Sequence, residues 1–224
     1  MSDAISRRVW ETRYRQEGER TIMDSWKRVA RALASVESDP DLYAQRFLAT
    51  LDDYRFLPGG RILAGAGSGR DVTLLNCFVM GVIEDSLDGI FTALRESALT
   101  MQMGGGIGLD FSTLRPAGMR TKRVGAIASG PVSFMHVWDA MCATLVSSGN
   151  RRGAMMATLR CDHPDIGRFI TAKQHPGILT HFNLSVQVTD AFMRAVESDA
   201  EWPLLFPADS LGEEADDLPV VQSE

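Results

Sequence analysis

FLPGGRILAGAG (56–67), TLLNCFVMGVIEDSLDGIFTALRE (73–96) and TMQMGGGIGLDFS (100–112) form the stretch whose reading decides the fold. It runs from a glycine-rich loop into a short apolar segment carrying Cys77. An acid-capped amphipathic helix follows, with Asp85-Ser86 as its start and Leu87, Ile90, Phe91, Leu94 and Ala98 at helical spacing. Three glycines then open a second apolar segment, 106–111. The order is loop, strand, helix, strand, with a thiol on the first strand and bare backbone at the head of the second.

Upstream, residues 5–36 read as helix with a break around Gly18, and Asp39-Pro40 starts another helix that Pro58-Gly59-Gly60 ends. Downstream, 119–130 is basic and aperiodic and reads as a loop. Gly130-Pro131 then starts a helix whose apolar face includes Phe134, Met135, Trp138, Met141 and Cys142, ending at the glycine cap 147–149. A second basic loop, 150–153, feeds the strand AMMATLRC (154–161). After it come a short helix with Ile166, Phe169 and Ile170 inside, the alternating strand HFNLSVQVT (181–189), and a helix capped by Thr189-Asp190 with Phe192, Met193 and Val196. Strands alternating with helices predict an α/β fold with mostly parallel pairing. Three segments are expected: a helical entry at 1–56, an α/β body at 57–206, and an acidic tail or connection at 207–224.

The 224 residues are 45% hydrophobic and 23% charged, the balance of a globular chain. The 29 acids exceed the 23 Lys and Arg by the six acids of the tail alone: Asp209, Glu213, Glu214, Asp216, Asp217 and Glu224. The body is therefore neutral and lacks the concentrated basic stripe that nucleic acid requires. No apolar run reaches membrane-spanning length, the N-terminus does not read as a secretory signal, and three widely spaced cysteines make no disulfide framework. A cytoplasmic location without nucleic-acid or membrane partners is expected.

From its surroundings alone, Cys77 reads by default as a small hydrophobe in a strand. A redox role needs a second thiol within bonding reach, and neither Cys142 nor Cys161 has a spacing that pairs it with Cys77. The run 104–108 puts a helix before its glycines and a strand after them, the reverse of a dinucleotide-binding loop. A helix C-cap, or close approach of a ligand to bare backbone, both fit it. The basic clusters Arg120, Lys122, Arg123 and Arg151, Arg152 are ordinary surface charge or small-anion grips between regular elements. His136 and His163 lack metal-ligand spacing and read as structural.

Five ordered blocks, LLNCFVMGVIEDSLDGIF (74–91), QMGGGIGLDFSTLRPAG (102–118), GAIASGPVSFMHVWDAM (125–141), GNRRGAMMATLRCDHPDI (149–166) and HFNLSVQVTDAFM (181–193), resemble the N-terminal half of ribonucleotide reductases. The best match is the adenosylcobalamin-dependent class, over residues 5–206. The resemblance implies a helical segment followed by the first half of a ten-stranded α/β barrel. It implies that Cys77 is the first of two barrel cysteines that reduce the ribonucleotide substrate and become a disulfide. Gly106, Asn76 with Cys77, and Gly60 match substrate contacts, although PGGR (58–61) replaces the Ser/Thr-Pro usual in relatives. Arg151 or Arg152 would reach the substrate. Asp85, Ser86, Leu87, Arg115 and Lys122 match positions that hold a deoxynucleotide effector, with 122–129 and 150–156 as specificity loops, which favours anion binding for the basic loops.

The family's radical-bearing cysteine loop, its second redox cysteine and its C-terminal thiol pair are not found in these residues. The chain is therefore expected to be a split subunit or truncated product that needs a chain carrying the C-terminal half. Most adenosylcobalamin contacts would lie there, and a thioredoxin-type reductant would supply electrons. A non-catalytic deoxynucleotide-binding module is the alternative expectation.

Overall fold

The computed structural model describes residues 4–119, 127–145 and 153–207. The chain forms two compact units, the first ending at Asn76 and the second beginning at Cys77. The first contains α1 (Ala4–Arg13), α2 (Ile22–Ala34), α3 (Pro40–Leu51), a single 3-10 turn (Asp52–Tyr54) and α4 (Gly60–Gly65). The expected break falls at Gly18, whose φ of 85° suits glycine. Asp39 accepts from the Leu42 amide at 3.1 Å and Pro40 occupies the first turn, so α3 starts where the sequence placed it.

Two carboxylates hold this unit. Asp24 Oδ2 accepts from the Thr21 amide at 2.9 Å and fixes the start of α2. Glu19, buried, accepts from Arg28 Nε at 2.7 Å, from Ser25 Oγ at 2.6 Å and from the Gln16 amide at 2.8 Å. Ser25 in turn accepts from Trp10 Nε1 at 2.8 Å, and Arg28 also reaches the carbonyls of Tyr14, Leu63 and Ala66. One ion pair thereby ties α1, the following loop, α2 and α4 around a core of Trp26, Val29, Ala30, Leu51 and Ala66. Pro58-Gly59 does not end α3, which stops at Leu51. Gly59 instead caps α4, with its carbonyl accepting from Ile62 at 2.9 Å, because Ile62 gains apolar contact by turning inward.

The second unit is a four-stranded sheet in sequential order: β1 (Cys77–Val79), β2 (Gly106–Asp110), β3 (Met155–Arg160) and β4 (Phe182–Gln187). All three pairings are parallel. The crossovers are α5 (Leu87–Gln102), α6 (Pro131–Thr144) and α7 (Ile166–Thr171), and α8 (Asp190–Glu197) follows β4. The expected α/β organisation, a helical entry followed by a parallel sheet, is what the structure shows. A strictly sequential order with crossovers of one hand keeps the helices on one face, unlike a doubly wound sheet whose order reverses.

The core confirms this one-sidedness. Ile107, Leu109, Met155, Ala157, Leu159 and Phe182 pack against Ile90 and Met101 of α5, Met135 and Trp138 of α6 and Phe169 of α7. Trp138 Nε1 donates to Ser97 Oγ at 3.0 Å, and its ring meets Phe111 edge-on at 5.4 Å. Helical spacing overstates the apolar face of α5, where Leu87 and Phe91 are 66% and 51% exposed. Ile170, expected inside α7, is likewise exposed, as are Met193 and Val196 of α8. The helix α6 ends at Thr144, and the cap expected at 147–149 lies outside the described residues, as does the acidic segment from 208 onward. His163 is structural: its Nε2 pairs with the Leu114 carbonyl at 2.9 Å and its Nδ1 accepts from the Asp165 amide at 3.0 Å. Burial holds it below the ordinary histidine value.

Burial alone would raise the Glu19 carboxyl, but hydrogen bonds from Arg28, Ser25 and Gln16, with the Arg28 charge, outweigh it and hold the group below its ordinary 4.5. A depressed folded value means the ion pair stabilises fully above 4.5 and is lost as pH falls through the folded value. Glu19→Gln is therefore expected to lower stability at pH 7 and to flatten its decline below 4.5, measured by urea unfolding across pH. An unchanged slope would remove Glu19 from the account.

Candidate active site

The ladder between β1 and β2 places Cys77 directly opposite Gly106, Phe78 opposite Ile107, and Val79 opposite Gly108. Successive strand residues alternate faces, so Phe78 turns to the helix-covered side while Cys77 and Val79 occupy the other. The register of β2, β3 and β4 continues that second face through Gly106, Gly108, Met156, Thr158, Asn183 and Ser185. Cys77, Met156, Asn183 and Ser185 are exposed, and Val79 is 96% exposed. The open face thus mixes glycines and the polar Thr158, Asn183 and Ser185 with the apolar Val79 and Met156, and has one thiol at its edge beside a strand entry that carries no side chain.

Two glycines make this possible. Gly104 takes φ 92° and its amide donates to the Met101 carbonyl at 2.8 Å, closing α5. A Cβ on Gly105 would stand 2.8 Å from two carbons of the Phe78 ring and 3.0 Å from Thr100 Cγ2. The run 104–106 therefore forms the helix cap that was one reading of the sequence, and it also leaves backbone bare of side chains beside the thiol. Asn76 precedes Cys77 as the last residue of the helical unit, and Gly60 is the first residue of α4, where a Cβ would meet Tyr14 Oη at 3.2 Å.

The acid-capped start of α5 brings together a second group. Ser86 Oγ accepts from the Gly89 amide at 3.0 Å. Asp85 receives Arg115 twice, from Nε at 2.7 Å and from its backbone amide at 3.1 Å, across 30 residues of sequence. Both side chains are largely buried. Leu87 stands exposed beside them. Asp165 Oδ2 accepts from the Ala117 amide at 2.8 Å, and Gly118 and Met119 pair with Ala128 at 2.9 and 2.8 Å, which fixes the stem of the loop between β2 and α6. Lys122, Arg151 and Arg152 lie outside the described residues.

Sequence reading missed Asn183, Ser185 and Asp165. The alternation in HFNLSVQVT carried the signal for the first two, since its polar positions are the ones that share a face with Cys77. Asp165 had no signal beyond lying at a helix start. The other thiols, Cys142 and Cys161, are each 4% exposed, and all three cysteines are free. Burial, then the Asp139 charge, raises the Cys142 thiol above its ordinary value. Any thiol that exchanges electrons with Cys77 must come from elsewhere. Among the described residues no cluster of His, Cys, Asp and Glu could hold a metal, and no helix is long and apolar enough to cross a membrane.

Comparison with known proteins gives a consistent picture. Residues 1–71 match the family model described as ribonucleotide reductase, all-alpha domain, and residues 75–222 the one described as ribonucleotide reductase, barrel domain. A vitamin B12-dependent ribonucleoside-diphosphate reductase of Mycobacterium tuberculosis is 46% identical over 80% of this chain and 27% of its own length. The protein of the same name from Thermoplasma acidophilum is 39% identical over 74% of this chain and 21% of its own. The chain thus spans about a quarter of the relatives it matches. A solved class Id ribonucleotide reductase alpha subunit from Actinobacillus ureae superposes with a TM-score of 0.72 at 20% identity, over 88% of this chain and 35% of that one.

Two outcomes test the geometry. Alkylation of the native chain with iodoacetamide is expected to modify Cys77 alone, with Cys142 and Cys161 labelled only after unfolding; native labelling of either buried thiol contradicts the burial pattern. Gly105→Ala should force Phe78 out of place and cost about 1–3 kcal/mol by chemical denaturation. A neutral result would mean β1 is not held as described.

Proposed function

The chain belongs to the ribonucleotide reductase family, and we propose that it supplies the helical segment and first barrel half of an adenosylcobalamin-dependent ribonucleoside-diphosphate reductase. The observation that carries this reading is the exposed Cys77 opposite Gly106 on the open sheet face. A ribonucleotide laid on that face meets a thiol, unobstructed backbone, and the polar side chains of Asn183 and Ser185. Gly60, Asn76 and Gly106 contact the substrate, and Arg151 or Arg152 reaches its phosphates. In the net reaction the C2′–O bond breaks, the oxygen leaves as water, and hydrogen takes its place. Cys77 and a second thiol, outside these residues, lose two electrons and two protons and become a disulfide. A thioredoxin-type reductant then restores both thiols.

Asp85, Ser86, Leu87, Arg115 and Lys122 hold the deoxynucleotide effector. Their support is that the first four meet at one helix start, with Arg115 fixed on Asp85 and the loop stem fixed on Asp165. The cofactor is a different matter. The described cavities, about 630 Å3 among charged helical side chains and about 320 Å3 beside Glu84, Asp88 and Glu96, lack the broad apolar walls a corrin ring needs. The described residues do not form its site. Its contacts, the radical-bearing cysteine and the second redox thiol belong to polypeptide outside these residues, which also pairs the free edges of β1 and β4. The enzyme works in the cytoplasm.

The test is Cys77→Ser in the enzyme completed with that polypeptide, supplied with adenosylcobalamin, ribonucleoside diphosphate and thioredoxin. Wild-type enzyme should accumulate many equivalents of deoxynucleotide while the variant makes no sustained product. Normal multiple turnover by the variant would overturn the assignment.

A further inference from the structure

The sequence AGAGSGR (64–70) belongs to the helical unit and plays no part in the sheet. Gly67, at φ 68°, lies so close to α2 that a Cβ would stand 2.8 Å from Arg28 Cγ and 3.1 Å from Ala32 Cβ. Ser68 and Arg70 follow this contact on the side of α2 that carries Lys27, Arg28 and Arg31. Together they line an open cavity of about 630 Å3, within the ordinary range for a small-molecule site.

The charges in that cavity are unequally used. Arg28 is spent on Glu19 and on backbone carbonyls. The oxygens of Glu19 are occupied by Arg28, Ser25 and Gln16, and Asp24 Oδ2 is occupied by the amides of Arg20 and Thr21. Among the described residues, the side chains of Arg31 and Arg70 make no hydrogen bond or ion pair; Lys27 makes none either, although its charge acts on the Asp24 carboxylate, and Glu17 stands at the rim. No aromatic or large aliphatic side chain lines the cavity, so nothing there would stack a nucleobase.

We propose that this cavity is an oligophosphate site, in which Lys27, Arg31 and Arg70 grip a compact polyanion. Guanidinium groups pair with phosphate oxygens in a planar fork, and a short, highly charged anion is the ligand that satisfies Arg31 and Arg70, and draws on Lys27, without an apolar anchor. The proposal is independent of the reductase reading, since none of its residues belongs to the sheet. A free oligophosphate and the phosphate tail of a nucleotide share this chemistry.

Calorimetric titration of the 224-residue chain with tripolyphosphate, ATP and adenosine distinguishes the two sources, with sodium sulfate at matched ionic strength as the control. Tripolyphosphate should bind and adenosine should not. Arg31→Gln with Arg70→Gln should weaken tripolyphosphate about tenfold or more with an unchanged circular dichroism spectrum. Should that pair unfold, Lys27→Gln alone, on an exposed side chain, should still weaken binding measurably. Equal affinity in wild type and a folded variant places the ligand elsewhere and overturns the proposal. So does a response no stronger than to sulfate, or no binding at about 1 mM tripolyphosphate. ATP binding that the variants weaken equally assigns the nucleotide tail as a source; ATP binding they leave unchanged assigns the free anion.

Discussion

A strand of three residues, β1, carries the thiol, and its pairing with β2 is the constraint on which the site depends. So short a ladder specifies register weakly by itself, and a slip of one residue would turn Cys77 into the helical core and Phe78 out of it. What pins it is Phe78, whose ring lies where a Cβ on Gly105 would be. The glycine is thus a packing requirement as well as a bare approach to the site. The amide of Met80 continues the pairing by donating to the Gly108 carbonyl at 2.9 Å.

The same register makes the sheet two-faced. Its covered side is a continuous apolar layer built from α5, α6 and α7, and its other side holds Cys77, glycines, Thr158, Asn183 and Ser185 together with Val79 and Met156. All-parallel sheets are ordinarily covered on both faces; among the described residues the helices cover this one on a single face. This organisation agrees with the family to which the chain belongs, whose barrel-domain model matches residues 75–222.

Much of this was legible in the sequence. The strand–helix–strand order, the caps at Asp39, Ser86 and Thr189, and the reversed setting of the glycine run all depend on local chemistry, which spacing exposes. Cys77 was not legible in the same way. A thiol in an apolar run looks like core, and only the sheet's one-sidedness shows that alternate residues of that run face outward. The pairing of Asp85 with Arg115 is likewise a tertiary fact, made by a crossover that returns 30 residues later. Helical spacing marked Leu87, Phe91 and Ile170 as interior because periodicity counts apolar residues, and it cannot tell which of them meet a neighbour. The functional roles expected of these residues rest on the resemblance of five blocks.

The most direct test of the central claim is to map thiols after a single turnover. The completed enzyme, pre-reduced and freed of reductant, is given one portion of ribonucleotide, quenched in acid with alkylating agent, and analysed by peptide mass spectrometry. The account predicts that Cys77 is recovered in a disulfide with a cysteine from outside these 224 residues, in proportion to the deoxynucleotide formed. Deoxynucleotide made in stoichiometric amount while Cys77 remains alkylated as a free thiol would contradict it.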